Sequence, residues 1–406
     1  MIYAIYIGLC FLTLAQLTYP FFSILLAQLF GKTNMKKKDN HPRRFYYACI
    51  ITAYKNAAIA EPLVLSLLQQ SYSNFTIYLV ADECEAHQFQ TRDERFVLLK
   101  PEEPLRLKAK SILYATRHFK HTHDYIVIFD ADNLAHPDFL EKINAYASVG
   151  FKSIQGRRTA KNLDTNYAAL DSLGEHYKNY LERQAPFMLG GSAVISGSGM
   201  ATETALYKAY LNSREIQEGQ HQWKKMLQED KILQNFILRQ GDRIAYAREA
   251  VVYDEKVSDA RAVETQRSRW LYSYFQNIPN ALGLMLRGIL YLNINQLYFG
   301  WVTIVLPMFL QIGLALVLAL AGIWLSPAWT AAMLAGFSIF ALGVLWALHL
   351  DGAPVAVWKV VLKTPLFILR QCIGLLKMGN PNKHFKHTEH HKKMTVEETM
   401  KQKNSN

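Results

Sequence analysis

Two long stretches of this 406-residue chain lack charged side chains, and cysteine is scarce throughout. Ile2–Phe30 contains no Asp, Glu, Lys or Arg, and neither does the chain between Arg287 and Asp351. The four cysteines have neither metal-ligand nor Cys-x-x-Cys spacing, which excludes a disulfide framework and a zinc finger and favours a reduced cytoplasm. They are Cys10, Cys49, Cys84 and Cys372.

The uncharged stretches predict membrane-spanning helices. Residues 1–30 are long enough to cross ~30 Å of hydrocarbon at ~1.5 Å per residue. A cleaved signal peptide is the alternative, and it fits poorly because no Lys or Arg precedes the apolar run. Ser326-Pro327 divides the second stretch, so we predict a transmembrane hairpin over 298–350 with helices Tyr298–Leu325 and Ala328–Leu350.

The formal net charge of +12 is confined to the segments beside these spans. Residues 31–47 are net positive, residues 355–406 are more so, and positive and negative side chains balance over 48–354. Basicity placed in this way excludes a nucleic-acid partner, which would require basic side chains on the folded domain. The positive-inside rule places the middle of the chain in the cytoplasm, as in a multi-pass cell-membrane protein such as one of the bacterial inner membrane.

The last segment, 355–378, carries its Lys and Arg side chains on one helical face. We predict an amphipathic helix on the inner leaflet, because a fourth span would bury these charges. Residues 379–406 are predicted to be a basic, disordered tail, and solvated histidines there are favoured over a metal site. The predicted organisation is therefore a span over 1–30, a basic linker over 31–44, a cytoplasmic domain over 45–271, an interfacial segment over 272–297, the hairpin, the amphipathic helix and the tail. Within the interfacial segment, Asn277-Ile278-Pro279-Asn280 is expected to break a helix.

The cytoplasmic domain alternates apolar strands with amphipathic helices. This alternation predicts an α/β fold with a mostly parallel sheet flanked by helices. The predicted strands are Phe45–Thr52, Phe75–Ala81, Tyr125–Phe129 and Lys152–Arg157, and the predicted helices are Ala58–Gln70, Lys108–Lys120 and Pro137–Val149.

Polar side chains follow three of these strands. Tyr54, Asp82 and the Asp130-Ala131-Asp132 motif lie where the carboxyl ends of parallel strands would meet, so we expect one shared pocket. Paired carboxylates there could bind Mg²⁺ or Mn²⁺ and, through the metal, a diphosphate. Alternatively, Asp130 merely ends its strand and Asp132 caps a helix.

Three further motifs carry candidate chemistry. Glu229-Asp230 begins a predicted helix where a general base could lie, although first-turn carboxylates also interact favourably with a helix dipole. In Gln266-Arg267-Ser268-Arg269-Trp270 the arginines could bind phosphate and the indole could stack on a sugar, or both could be interfacial anchors. Lys110 could approach phosphate or simply be solvated at its helix start.

In this order, with membrane spans on both sides, the motifs resemble those of membrane-integrated family 2 glycosyltransferases, which include cellulose, chitin, hyaluronan and poly-N-acetylglucosamine synthases. The resemblance covers Phe45 to Trp270. It implies a GT-A type nucleotide-sugar-binding domain. Two positions depart from the family pattern: the expected Asp-Asp-Gly is Ala81-Asp82-Glu83, and Gln228 replaces the Thr before Glu-Asp.

The resemblance also implies roles for individual residues. It assigns Asp230, beside Glu229, as the catalytic base. It assigns Asp130 and Asp132 as metal ligands, with Asp132 as the more direct ligand and Asp130 also facing the diphosphate. It assigns Tyr54 and Asp82 to the nucleotide base, Gln266, Arg267 and Arg269 to the donor, and Trp270, Gly197, Ser198 and Gly199 to the acceptor.

These roles predict a metal-dependent inverting transferase, because a single base without an enzyme nucleophile implies direct displacement. UDP-glucose or UDP-N-acetylglucosamine is the expected donor, and a growing β-linked polysaccharide is the expected acceptor. A non-processive transferase acting on a lipid is the alternative, and an inactive nucleotide-sugar-binding scaffold is a second. Three spans alone would make an export channel doubtful, so a homo-oligomer or an export partner is a further hypothesis.

Overall fold

A computed structural model of the chain describes residues 1–32, 43–214, 216, 229–256, 258, 260–364, 368 and 394–404. Side chains are described throughout these ranges except at 260–265, 267–269 and 401–404. Most of the predicted basic linker, of the amphipathic helix beyond residue 364 and of the tail before residue 394 therefore lies outside the described residues.

The domain between the apolar segments is built on one mixed sheet of eight strands among the described residues. Along the sheet the order is β3-β2-β1-β4-β7-β6-β8-β5. The pairs β1/β2, β1/β4, β2/β3 and β6/β8 are parallel, whereas β7 runs antiparallel to β4 and β6, and β5 runs antiparallel to β8. The strands are β1 Tyr47–Tyr54, β2 Phe75–Asp82, β3 Phe96–Leu99, β4 Tyr125–Asp130, β5 Leu134–Ala135, β6 Ser153–Ala160, β7 Met200–Glu203 and β8 Ile244–Asp254.

The central strands explain why the predicted polar clusters meet. β1, β2 and β4 are buried along almost their whole length, as expected for strands covered by helices on both faces. Their register pairs Tyr54 with Asp82 and Thr52 with Asp130. The carboxyl ends of three parallel strands therefore share one edge of the sheet, where ligands bind in open α/β folds.

Helices pack against this sheet, and long apolar helices precede and follow the domain. Helix α1, Ile2–Phe30, precedes the first strand. The helices between β1 and β8 are α2 Glu61–Leu68, α3 Lys108–Arg117, α4 Phe139–Ser148, α5 Asn166–Lys178, α6 Ala185–Met188, α7 Thr204–Leu211 and α8 Glu229–Arg239. After β8 follow α9 Ala260–Leu290, α10 Ile294–Ile304, α11 Met308–Leu325, α12 Pro327–Leu350, α13 Val355–Val360 and α14 Val396–Asn404. A 3-10 turn, Ala58–Ala60, precedes α2, a π-helical turn, Asn179–Gln184, joins α5 to α6, and a second 3-10 turn, Val361–Lys363, follows α13.

Within the described ranges, three helices are long and apolar enough to cross a membrane: α1, α11 and α12. Glycines let these helices approach one another closely. A Cβ on Gly336 would lie 2.5 Å from Leu14 Cδ1, and one on Gly343 would lie 2.9 Å from the backbone nitrogen of Phe21. Small residues at such crossings are typical of helix packing in membranes.

Two features of the membrane region differ from the sequence-based expectation. The helix predicted over Tyr298–Leu325 is two helices, which separate at Val305–Pro307. Pro307 disfavours helical backbone at the residue before it, and the freed N–H of Leu306 donates to Gln16 Oε1 at 3.2 Å. Conversely, Pro279 lies inside the continuous helix α9 instead of breaking it.

Candidate active site

Asp130, the last residue of β4, is the centre of the candidate site. A tight turn follows it, in which the Asn133 N–H donates to the Asp130 carbonyl and the Asp130 N–H donates to Asn133 Oδ1, both at 3.1 Å. The turn leaves the Asp130 side chain 37% exposed, whereas Asp132 is buried. The two carboxylates of the motif therefore differ, because only Asp130 opens into a cavity.

Lys108, at the start of α3, joins Asp130 to the helix that carries the predicted base. Its Nζ lies 2.5 Å from Asp130 Oδ1 and 3.9 Å from Glu229 Oε1, and it donates to the Gly197 carbonyl at 2.7 Å. Burial alone would lower the pKa of Lys108, but the charges of Asp130 and Glu229 outweigh it and raise that pKa. Lys108 is therefore a fixed cation at this site, which the sequence motifs did not single out over Lys110.

Glu229 and Asp230 occupy the first turn of α8 and have different environments. Burial, with the neighbouring charge of Asp230, raises the pKa of Glu229 to about 7 even though Lys108 opposes the shift. Asp230 accepts a hydrogen bond from the Lys231 backbone N–H at 2.8 Å. A carboxyl group whose pKa is raised toward neutrality is typical of sites that perform acid–base chemistry.

Gly197 forms the wall against which these side chains pack. Its φ of +75° is unfavourable for other residues, and a Cβ there would lie 3.6 Å from Asp230 Oδ2 and 3.7 Å from Lys108 Nζ. Gly199, with φ +62°, is needed for a different reason, because its Cβ would lie 2.9 Å from Val252 Cγ2. Ser198 is fully buried, so the hydroxyl does not face the cavity as an acceptor contact would.

One cavity of about 590 Å³ brings most of the predicted residues together. Its polar end is lined by Asp130, Lys108, Glu229, Asp230 and Gly197. Its other walls come from the π-helical turn, α5 and α9, and from the membrane side, where Tyr19 of α1 and residues 302–309 contribute apolar surface. Trp270, 42% exposed, also lines it. The cavity therefore runs from the carboxylates to the foot of the membrane helices.

The other predicted residues are not among the described residues that line this cavity. Asp82 is buried and accepts the backbone N–H groups of Leu105 and Arg106 at 2.8 and 2.6 Å, so it positions the loop before α3. Tyr54 contacts Glu83, which pairs with Arg106 at 2.8 Å. These residues lie at the neighbouring strand ends. Lys110 and Gln266 are partly buried, and the side chains of Arg267 and Arg269 lie outside the described residues.

Backbone strain is concentrated at those strand ends. Three non-glycine residues have left-handed backbone conformations there: Lys55 at φ 64°, Glu83 at φ 50° and Arg106 at φ 57°. Such conformations cost of order 1 kcal/mol each and are common at ligand-binding sites. The location therefore remains compatible with the predicted nucleotide-base contacts.

A buried network of charged side chains supports the cavity wall, and none of the sequence motifs predicted it. Asp254, the last residue of β8, pairs with Arg158 at 2.6 Å and with Lys256 at 3.0 Å. Burial opposes ionisation, but these cations lower the pKa of Asp254 to about 2. Glu175 pairs with Arg183 at 3.0 Å and with Lys256 at 3.4 Å. The sequence signal for this network is the run Tyr253-Asp254-Glu255-Lys256, in which charged residues end an apolar strand.

One carboxylate that faces the cavity, that of Asp130, is available to a metal, because Asp132 is buried beside it. In the described part of the chain, no group of three or more His, Cys, Asp or Glu side chains is arranged to hold an ion. Mg²⁺ commonly binds proteins through one or two carboxylates and completes its shell with water and substrate phosphates. Asp130 therefore fits a cation that enters with a diphosphate, whereas the residues present do not form a permanent all-protein site.

The family model described as "Glycosyltransferase like family 2" matches residues 42–273, which is more than half of the chain. The chain belongs to this glycosyltransferase family. Its match spans the whole sheet and both carboxylate motifs, and it ends just beyond Trp270. The predicted GT-A type fold with flanking apolar helices is thereby confirmed.

The solved structures that match this chain are distant in sequence. The mannosyltransferase PcManGT from Pyrobaculum calidifontis, solved with GDP-Man and Mn²⁺, is 18% identical, with a TM-score of 0.50 over 85% of this chain and 99% of that one. S. aureus TarS is 13% identical with a TM-score of 0.37, over 58% of this chain and 40% of TarS. No curated protein sequence matches the chain significantly.

Proposed function

We propose that this glycosyltransferase moves a sugar from a nucleoside diphosphate sugar to an acceptor held at the membrane, with inversion at the anomeric carbon and Asp230 as the base. The observation that carries the proposal is the cavity that Asp130, Lys108 and Asp230 share. A base and a phosphate-facing group must flank the same reacting atom, and one shared cavity is compatible with that requirement. UDP-glucose and UDP-N-acetylglucosamine remain the expected donors.

In this mechanism the acceptor hydroxyl gives its proton to Asp230 as its oxygen bonds to the anomeric carbon. The bond from that carbon to the diphosphate breaks in the same step, so no enzyme nucleophile is needed. Lys108 holds positive charge 2.5 Å from Asp130, at the end where the diphosphate leaves. Arg267 and Arg269 are expected to add to that charge.

Asp130 would hold a divalent cation, Mg²⁺ or Mn²⁺. When bound, the cation neutralises charge on the departing diphosphate. The Mn²⁺ and GDP-Man in the Pyrobaculum mannosyltransferase, which has the same fold, support this proposal. Since Lys108 already contacts Asp130, donor binding would require that ion pair to open or to share the carboxylate.

The acceptor proposal has two forms, and the apolar wall favours the second. A growing β-linked polysaccharide would need a polar, aromatic path away from the site. Besides Tyr274, Asn277 and Thr303, the cavity is lined by the apolar side chains of Val305, Leu306, Met308 and Phe309 near the start of α11. Apolar lining that continues into membrane helices suits the chain of a lipid acceptor, so single addition to a lipid is the better-supported form.

The test is transfer from individual radiolabelled UDP-sugars, with Mg²⁺ or Mn²⁺, by the full chain in native-like vesicles. The lipid form predicts label in an organic-solvent extract, and the polysaccharide form predicts water-soluble product of high mass. Asp230→Asn should abolish both, whereas Glu103→Gln, at an exposed carboxylate in the loop before α3, should abolish neither. Transfer by Asp230→Asn at the wild-type rate would mean that another group is the base. Binding of UDP-sugar by wild type without any transfer would favour the inactive-scaffold alternative.

A further inference from the structure

The last described part of the C-terminal tail is a helix, α14, although the sequence predicts disorder there. Thr395 and Glu398 make the reciprocal contacts of a capping box. The Glu398 N–H donates to Thr395 Oγ1 at 3.2 Å, and the Thr395 N–H donates to Glu398 Oε2 at 2.8 Å. Such a pair satisfies N–H groups that the start of a helix leaves unpaired. The run Thr395-Val396-Glu397-Glu398 therefore begins α14 through its own local chemistry.

One face of α14 is covered by the glycosyltransferase domain. Val396, Thr399 and Met400 are spaced three and four residues apart, so they share one side of the helix. Val396 and Thr399 are buried, whereas Glu397 and Glu398 are exposed. A helix of nine residues is marginal by itself in water, so its contact with the domain contributes to its stability.

The surface beneath α14 is the strand pair that follows the Asp130-Ala131-Asp132 motif. Val396 packs with Leu134 of β5 and Tyr253 of β8, and Met400 borders the same cluster. Leu134 and Tyr253 are direct partners in the sheet. β5 is only two residues long and lies at the edge of the sheet. A strand this short makes few ladder hydrogen bonds, so side-chain packing on it has a large share in holding it against β8.

Asn133 connects this strand pair to the candidate site. It directly precedes Leu134, and its Nδ2 donates to Oδ1 of Asp254, the residue after Tyr253, at 3.2 Å. Asn133 also closes the turn, because it exchanges two hydrogen bonds with the backbone of Asp130, both at 3.1 Å. The pairing of Leu134 with Tyr253 therefore keeps Asn133 beside Asp254. Loss of α14 would weaken that pairing and let the turn move, together with the Asp130 carboxylate in the cavity.

We propose that docking of α14 on β5 and β8 positions Asp130 for sugar transfer, so that the C-terminal helix is a working part of the enzyme. The inference rests on the proposed glycosyl transfer and adds a positioning element to it. An autoinhibitory helix would have to cover the cavity, whereas no described residue of α14 lines it. The helix therefore acts through the turn and not through the substrates.

Val396→Asp in the full chain tests the proposal, because it places a charge inside the contact. Glu397→Asp, at the neighbouring exposed position of the same helix, is the matched control. We expect hydrogen–deuterium exchange to become faster in the peptide 130–136 of Val396→Asp and to stay unchanged in β1, since undocking of α14 is a local opening. We expect kcat for sugar transfer to fall about 10–100-fold, because a displacement of about 1 Å can cost that much, while the KM for the acceptor stays within a fewfold of wild type.

The outcomes separate positioning from stability. Met400→Asp is a second variant and should repeat the result, whereas Val396→Ile should retain wild-type exchange and kcat. Unchanged exchange at 130–136 or an unchanged kcat in both aspartate variants would overturn the proposal, and so would a higher kcat, which would indicate autoinhibition. Faster exchange in β1 together with a lower thermal midpoint would show that the contact serves stability alone, and would overturn it as well. If wild type transferred no sugar, the proposed function would fail, and the exchange comparison would still decide whether α14 holds the turn.

Discussion

Asp351 fixes the end of the membrane hairpin to the catalytic domain, and its removal should destabilise the protein strongly. The residue directly follows α12, and its side chain is only 1% exposed. Its carboxylate accepts hydrogen bonds from Arg157 at 3.0 Å, from His176 at 2.6 Å and from Asn179 at 3.3 Å. These three partners belong to β6, α5 and the π-helical turn, so one carboxylate connects α12 to three elements beside the cavity.

The magnitude follows from burial. Asp351→Ala leaves the Arg157 guanidinium buried beside an unpaired imidazole, and breaking a buried ion pair costs about 3–5 kcal/mol. For a domain of this size that corresponds to a fall in thermal midpoint on the order of 10 °C. Asp351→Asn keeps an acceptor oxygen and should fall by about half as much.

The effect should also depend on pH in a defined direction. Burial would raise the pKa of Asp351, but the His176 hydrogen bond and the Arg157 charge outweigh it and lower that pKa. A lowered native pKa stabilises the fold above the unfolded value of about 4 and loses its effect as the pH falls through the native value. The difference between wild type and Asp351→Asn should therefore be complete at neutral pH and shrink below about pH 4.

Thermal unfolding of the detergent-solubilised chain, followed by circular dichroism, measures the prediction. Glu102→Gln, at an exposed carboxylate, is the control. Equal midpoints for Asp351→Ala and wild type at neutral pH would refute the assigned role, and so would a difference that grows as the solution is acidified.

Three further predictions concern the cavity. Because burial raises the pKa of Glu229 from 4.5 to about 7, the native state should lose stability as the pH rises from 4.5 to about 7. Glu229→Gln should remove this pH dependence and be up to about 3 kcal/mol more stable than wild type above pH 7, measured from thermal midpoints across pH. The same pH dependence in both proteins would contradict the prediction. Gly199→Ala should cost about 1–3 kcal/mol more than Gly241→Ala in the same unfolding assay, since both have positive φ but only Gly199 is crowded, by Val252; equal losses would mean that the clash relaxes. Trp270→Ala should raise the KM for the acceptor and leave donor hydrolysis by water unchanged, and the reverse pattern in steady-state kinetics would place the indole at the donor.

Periodicity and strand-end chemistry were sufficient to predict strands β1, β2, β4 and β6 and the site edge, whereas β3, β5, β7 and β8 were not predicted. The β-branched run before Asp130 allowed no structure other than a buried strand, and parallel neighbours necessarily bring Tyr54 and Asp82 to the same edge. The spans followed from missing charge alone. These predictions succeed because each depends on a local pattern.

The features that sequence could not predict depend on distant partners. Pro279 was expected to break a helix, yet α9 continues through it. Nearby in the same helix, Asn277 Oδ1 accepts a hydrogen bond from Asn235 of α8 at 3.2 Å. Lys108 and Lys110 look equivalent in sequence, and only the fold shows that Lys108 reaches Asp130. Asp351 appeared as the end of an uncharged stretch, because its three partners lie far away in the chain.

The central claim is that Asp230 serves as the proton acceptor in sugar transfer at the membrane. It is tested most directly by comparing wild type and Asp230→Asn in vesicles supplied with UDP-sugar and Mn²⁺, with initial transfer rate and UDP-sugar affinity measured on the same samples. The account predicts that transfer falls by about 10²–10⁴-fold while donor affinity stays within a fewfold of wild type. Transfer at the wild-type rate with a neutral side chain at position 230 would contradict it.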